Sequence, residues 1–329
     1  MKNILNRDYK RTSLSGTAAS VRYLSKERAN KRQGLCAFMQ VIISQQRALG
    51  RVRTGEIYES TLRSFMRFRE GNDITFDKLN SEIIELYEAY LQNSCALTRN
   101  SSSFYMRVLR AVYNRAVEQQ ITNDLHPFRH VYTGVDRTVK RALPLNVLRR
   151  IKAYDLSTTP KLELARDLFL FSFYTRGMSF VDMAYLKRNN LKDGVLVYRR
   201  RKTGQALQIK WEKCMQEIVE RHGSGAGDYL LPIIRIKGKD ERLQYKSALS
   251  STNLLLKQIG EKLHLSGSLS TYVARHSWAS VARCQNVPLP VISEGMGHDN
   301  EKTTRIYLTS LETSVVDEAN DLVIRTLFE

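Results

Sequence analysis

F-Y-T-R-G-M-S-F-V-D at 173–182 carries Arg176, and T-Y-V-A-R-H-S-W-A at 271–279 carries Arg275. G-M-G-H at 295–298 ends on His298, and T-T-R-I-Y-L at 303–308 contains Tyr307. A guanidinium is planar, permanently charged and able to bind two oxygens of one phosphate. Two of them can clamp a phosphodiester, an imidazole can share its charge, and a phenol can attack it. That set is what phosphodiester transfer through a tyrosine requires. No member is informative alone: the chain has 16 tyrosines, and a lone arginine usually ends in a surface ion pair.

Order and local context together resemble the tyrosine recombinases, the phage-integrase family. The resemblance runs from about residue 35 to the C-terminus and is strongest over the last 160 or so residues, a common length for one domain. It implies a mostly α fold with a small antiparallel β-sheet. A helical, SAM-like core-binding domain would precede a mixed α/β catalytic domain.

Composition agrees with a polyanionic partner. Against 33 Asp+Glu stand 52 Lys+Arg, a net charge of +19, and such an excess points to nucleic acid before membrane. A chain of 329 residues, 42% hydrophobic, supports two domains. Cys36, Cys95, Cys214 and Cys284 are scattered without a C-x-x-C. That spacing argues against a disulfide framework or zinc site and fits a reducing cytoplasm; Cys284 is expected as a small core residue. No apolar run reaches membrane-spanning length, so a cytoplasmic, nucleoid-associated protein is expected.

Residues 1–34 read as a basic arm. Four helical patterns follow. The first carries Leu35, Phe38, Met39 and Ile42, and the second, capped by Thr54, carries Tyr58, Leu62, Phe65 and Met66. The third, capped by Ser81, carries Ile84, Tyr87 and Leu91, and the fourth runs through Tyr105, Val108, Leu109, Val112 and Ala116. They make a DNA-binding bundle over 35–126. Pro127 to Pro144 breaks the period and reads as a basic linker, ahead of a catalytic domain over 145–329. In that domain Thr159-Pro160 starts a helix, Val195–Tyr198 and Ala206–Ile209 alternate as strands around a K-T-G turn, and helix resumes from Ser247. Phosphate contact is expected among Arg99, Arg107 and Arg110 of the bundle, Arg137 and Lys140 of the linker, and Arg199, Arg200 and Arg201 before the turn.

The resemblance supplies the roles. Arg176 and Arg275 would hold the phosphate, and Tyr307 would attack it. The product would be a 3′-phosphotyrosine and a free 5′ hydroxyl. The gap from His298 to Tyr307 (307 − 298 = 9) matches the family spacing. His298 would bond a nonbridging oxygen or shuttle a proton, and Lys202, on a mobile hairpin that enters the site, would protonate the leaving 5′ oxygen. Two positions depart from the family pattern. Tyr272 stands where the family commonly has His, one helical turn before Arg275, and His276 should face elsewhere. Ser179 occupies the position of the usual acidic residue, with Asp182 taking over that role and buttressing an arginine. No cofactor and no metal are expected, because arginines supply the charge that Mg²⁺ supplies in nucleases.

The implied activity is site-specific recombination of double-stranded DNA carrying paired sites, through a Holliday junction. An apolar stripe of Val315, Ala319, Leu322, Val323 and Leu327 would pack into a neighbouring subunit of a homotetramer. The rivals are a catalytically decayed DNA-binding architectural protein and a type IB topoisomerase-like nick-and-reseal enzyme.

Overall fold

The structure, a computed structural model, describes residues 34–136, 142–223 and 227–298, with 300, 301, 304, 305, 320, 324 and 325. The basic arm before Gly34, Arg137, Lys140, Tyr307 and the apolar stripe from Val315 to Leu327 lie outside the described residues. The chain divides into two compact units, 1–137 and 138–329.

The first unit is a helical bundle: α1 Leu35–Ala48, α2 Val52–Phe68, α3 Ser81–Ala89 and α4 Arg99–Glu118. The apolar positions read from the sequence form its core, in which Leu35, Met39, Ile84, Tyr87, Leu109 and Val112 are fully buried. Tyr87 is accommodated because its hydroxyl donates to Ser64 Oγ at 2.8 Å.

The caps differ from expectation. Thr54 lies inside α2, which starts at Val52. Asn80 rather than Ser81 caps α3, accepting from the Ile83 amide. The start of α1 has no local cap. Asp73, far away in sequence, accepts from the amides of Cys36 (2.8 Å), Ala37 (3.1 Å) and Ile74 (2.7 Å). Burial and this carboxylate push the Cys36 thiol up to about 12, so it is inert. Asp73→Ala should cost about 2 kcal/mol, in line with the loss of a helix cap; urea unfolding would measure it, and an unchanged midpoint would mean that water replaces the carboxylate.

The stretch from Pro127 to Pro144 is not a linker throughout. Phe128 and Val131 are buried in the first core, and Tyr132–Asp136 is fastened along α4. Asn100 exchanges two hydrogen bonds with the Asp136 main chain (3.1 and 2.7 Å), and Ser103 Oγ donates to Gly134 O. Proline, glycine and basic residues break periodicity, but two well-spaced apolar side chains suffice to anchor a non-helical segment.

The second unit is built on α6, Pro160–Tyr174. Ala165 to Ser172 is buried on every side, as befits a central helix, and α6 packs against α8 (Lys213–His222), α9 (Glu241–Lys262) and α10 (Thr271–Cys284). Its one buried carboxylate, Asp167, receives Arg166 Nε (2.8 Å), Arg221 Nη1 (2.7 Å) and His222 Nε2 (2.8 Å), joining α6 to α8. Burial opposes ionisation of Asp167, but these three partners still hold its carboxyl below the usual range. Around this centre lie α5 (Leu145–Ala153), α7 (Phe180–Ala184) and α11 (Leu289–Gly295). α9 begins at Glu241, six residues before the expected Ser247, because Asp240 caps it by accepting from the Leu243 amide at 2.9 Å.

The sheet is antiparallel, in the order β1 (Leu191–Lys192), β2 (Val195–Arg199), β3 (Ala206–Lys210). Leu196 pairs with Ile209 and Tyr198 with Leu207 on the buried face. Among the described residues no helix is long and apolar enough to cross a membrane. Cys284 ends α10 and is exposed rather than in the core.

Candidate active site

Three segments converge on Arg275. The turn after α6 places Arg176 (φ 58°) and Gly177 (φ 72°) consecutively in the left-handed region. A non-glycine residue pays about 1–2 kcal/mol there, a strain typical of functional loops. Gly177 is required sterically as well, since a Cβ on it would stand 2.7 Å from the Arg275 Cα. The turn therefore lies directly on α10. Arg275, 4% exposed, donates from Nη1 to Gly177 O (2.7 Å) and from Nη2 to Met296 O (2.7 Å). Its guanidinium is thus held by the Arg176–Gly177 turn and by the G-M-G-H turn after α11.

His298 closes the cluster. Arg275 Nη2 lies 2.9 Å from His298 Nε2, and His298 Nδ1 lies 2.7 Å from Thr304 Oγ1. A guanidinium only donates, so Nε2 accepts, and the ring proton belongs on Nδ1, donated to the fully buried Thr304. Burial, then the charges of Arg275, Arg200 and Lys202, lower the His298 pKa to about 4. The imidazole is neutral at pH 7. The folded protein resists a proton that the unfolded chain takes up near pH 6.5. Stability from this group should therefore fall as pH drops from about 6.5 to 4 and level off below. Imidazole NMR should show the His298 resonance unmoved between pH 8 and 5.5; a midpoint near 6.5 would contradict the geometry.

Arg176 joins the same cluster. Its Cδ is the neighbour of Gly295, where an added Cβ would meet it at 3.6 Å. Tyr198 of β2 registers the combined field. Burial and Asp182 hold its phenol well above the ordinary range, against the opposing charges of Arg200, Arg275 and Arg176.

Asp182 differs from its expected part. It does not buttress an arginine side chain: Oδ1 accepts the main-chain amide of Arg201 (2.8 Å) and Oδ2 accepts Ser179 Oγ (2.6 Å). It fixes the β2–β3 hairpin, and Ser179, the residue at the departing position, caps α7. Lys202 is exposed at the hairpin turn, and its charge reaches His298. Tyr272 is 53% exposed, with its ring edge-on at 4.6 Å to that of His276, which is buried.

The eight expected phosphate contacts divide. Arg200 is buried and bonded to Gly297 O, so it is no surface contact. Arg201 lies 3.8 Å over the Tyr185 ring, and Arg199 Nη1 donates to Gly204 O at 3.1 Å. In the first unit Arg107 Nη1 donates to Gly134 O (2.8 Å) and Arg110 Nη1 to Thr133 Oγ1 (2.7 Å). Arg99 stacks over Tyr132 at 3.8 Å and pairs with Asp136 at 3.6 Å. These three arginines brace the segment after the bundle. Thr304, Tyr198 and the structural use of Arg200 escaped the sequence reading; Thr304 had one signal, its position three residues before Tyr307.

Comparison with known proteins agrees with the resemblance. Residues 34–131 match the phage integrase SAM-like domain. Tyrosine recombinase XerA of Thermococcus kodakarensis is 26% identical over 180 residues, covering 53% of this chain and 59% of that protein. Tyrosine recombinase XerC of Leptospira interrogans is 19% identical over 258 residues, 77% and 81% of the two chains. The chain is similar to both of these tyrosine recombinases and carries an integrase-type SAM-like domain. The fold agrees: a lambda integrase dimer bound to a core site superposes with a TM-score of 0.64 at 15% identity, over 84% of this chain and 95% of that one. The Tn1549 transposon integrase in complex with transposon right-end DNA gives 0.60 at 13%, over 87% and 100%. A lambda integrase tetramer bound to a Holliday junction gives 0.63 at 14%, over 92% and 88%. The mostly helical fold with its small antiparallel sheet thus matches the lambda integrase fold.

Proposed function

We propose that the protein cuts and rejoins double-stranded DNA at paired sites through a covalent phosphotyrosine intermediate. The observation that carries this reading is the convergence of Arg275, His298 and the Arg176 turn in one cationic cluster. Arg176 and Arg275 clamp the nonbridging oxygens of the scissile phosphate and offset charge growing on it in the transition state. The Tyr307 phenol loses its proton to solvent in the field of Arg176 and Arg275, and the phenolate oxygen attacks phosphorus. A bond forms from phosphorus to the phenolic oxygen, and the bond to the 5′ oxygen breaks. Lys202 gives that oxygen a proton. Neutral His298 accepts from Arg275 and so orients the clamp, while exposed Tyr272 offers a hydroxyl beside it. Attack by the 5′ hydroxyl of a partner strand reverses the chemistry and conserves the bond energy. No step calls on a metal or a cofactor.

A homotetramer on two duplexes would carry out exchange, its subunits linked by the apolar stripe from Val315 to Leu327. Arg199 and Arg201, at the mouth of the hairpin, serve as backbone contacts, and Arg137 and Lys140 do so in the segment that joins the two units. Long-read sequencing of host cells carrying the wild-type gene or Tyr307→Phe tests the reading, and it works whatever the target site is. Rearrangements confined to the wild type are expected. Rearrangements at equal frequency in both would overturn it.

A further inference from the structure

Two side chains determine where the hairpin bearing Lys202 sits. Asp182 holds it from one side through the Arg201 amide. Arg200 holds it from the other. In the run Arg199, Arg200, Arg201, Lys202, three residues are exposed and Arg200 alone turns inward, to 7% exposure. Its Nη1 donates to the carbonyl of Gly297. Its stem covers Gly297, where an added Cβ would stand 2.7 Å from Arg200 Cδ and 2.9 Å from Leu207 Cδ1. Its own backbone closes the loop, donating to Gln205 O (2.9 Å) and accepting from the Gly204 amide (2.7 Å). One residue thus closes the Lys202 loop, packs on Gly297 and binds the carbonyl next to His298.

Burying a guanidinium is costly unless it is hydrogen-bonded, so this inward turn is the opposite of what a phosphate-seeking arginine does. A backbone-contacting arginine stays in solvent until DNA arrives. Arg200 is instead seated on a carbonyl whose glycine has φ 65° and no side chain, a backbone position shaped to receive it.

We propose that Arg200 is a positioning residue that latches the Lys202 hairpin onto the Gly297–His298 turn, registering the proton donor against the arginine clamp before DNA binds. The inference rests on the reading of Lys202 and His298 as parts of the reaction centre. The latch makes the hairpin and the G-M-G-H turn a single unit: displacing either moves both. The guanidinium also adds its charge to the field at His298.

The test uses the full chain with Arg200→Met and Arg200→Lys. Hydrogen exchange over 200–205 and 295–298 reads the latch, and imidazole NMR reads His298. Binding to a non-specific duplex at several salt concentrations reads phosphate contact. Single-turnover covalent capture on the site recovered by sequencing reads chemistry. For Arg200→Met, exchange should rise in both segments together, and the His298 midpoint should move up by about one unit as a neighbouring charge is lost. Capture should slow by about 30-fold, the scale of a misplaced catalytic group, with the salt dependence of binding unchanged. Arg200→Lys keeps the charge but not the reach, so it should restore the His298 midpoint without restoring capture or protection. A salt slope reduced by about one, with exchange and the His298 midpoint as in the wild type, would make Arg200 a phosphate contact and overturn the latch. If Arg200→Met does not fold, Arg200→Lys decides alone, and wild-type exchange in both segments would overturn the proposal. Exchange and midpoint shifts as expected, in a protein whose wild type never captures DNA, would uphold the latch and count against the reaction centre itself.

Discussion

Tyr307→Phe is expected to abolish covalent capture of DNA while leaving binding intact. The substitution removes one hydroxyl from a side chain and nothing from the cationic cluster. A phenol is a weak nucleophile at neutral pH because its pKa is about 10, so it must rely on the field of Arg176 and Arg275. No other group in the described cluster replaces it. Tyr198 is buried, with its phenol held above the ordinary range, and Tyr272 shares a helix with Arg275 but lacks the spacing to His298. Thr304, three residues before Tyr307, is already tied to His298 at 2.7 Å. The measurement is a denaturing gel of protein incubated with a nicked duplex carrying the recovered site, which traps the adduct. Capture should fall by at least about 10⁴-fold, as expected for loss of the nucleophile, with equal shifts on a native gel. Capture retained by Tyr307→Phe would move the nucleophile to another of the 16 tyrosines.

Arg275→Lys is expected to be nearly as damaging, for a different reason. Charge is kept, but a fork becomes a point. Arg275 uses two nitrogens to bind Gly177 O, Met296 O and His298 Nε2 simultaneously. An ammonium on a differently shaped stem cannot reproduce that arrangement and present a second face to phosphate. Buried acceptors left without a donor cost about 1–3 kcal/mol each, and Tm should drop by several degrees. Capture should fall by about 10³-fold, the loss typical when a preorganised transition-state donor is removed. Single-turnover capture at saturating protein separates this from weakened binding. A rate within about 3-fold of wild type would mean that charge alone is needed at this position. Arg275→Ala should be worse in stability, because it adds a cavity to the lost donors.

Much of the fold was legible because it rests on short-range rules. Apolar residues at helical spacing in α1 to α4 became the core of the first unit. Strict alternation at Leu196 and Tyr198 became the buried face of β2, and Pro160 began α6 where a proline at the first helical position belongs. What was misread involved partners distant in sequence. Asp73 caps α1 across 36 or more residues, Phe128 and Val131 turn an aperiodic stretch into part of a core, and the guanidiniums of Arg99, Arg107 and Arg110 reach the segment at 132–136. A basic residue on a helix looks the same in sequence whether it awaits phosphate or holds a loop.

The sequence by itself determined the inventory: two arginines, a lysine, a histidine and a tyrosine in an order and spacing that resemble those of the tyrosine recombinases. It also determined the helical periods that build the scaffold, since periodicity is a local property of the chain. Only the tertiary structure decided how the inventory is used. It set the tautomer and neutrality of His298, which depend on a guanidinium 23 residues away and on burial. It gave Asp182 a backbone amide rather than an arginine side chain, and it turned Arg200 inward from a run of four cations. Charge state and hydrogen-bond partner are set by which groups share a low-dielectric space, and that sharing is a property of the folded chain alone.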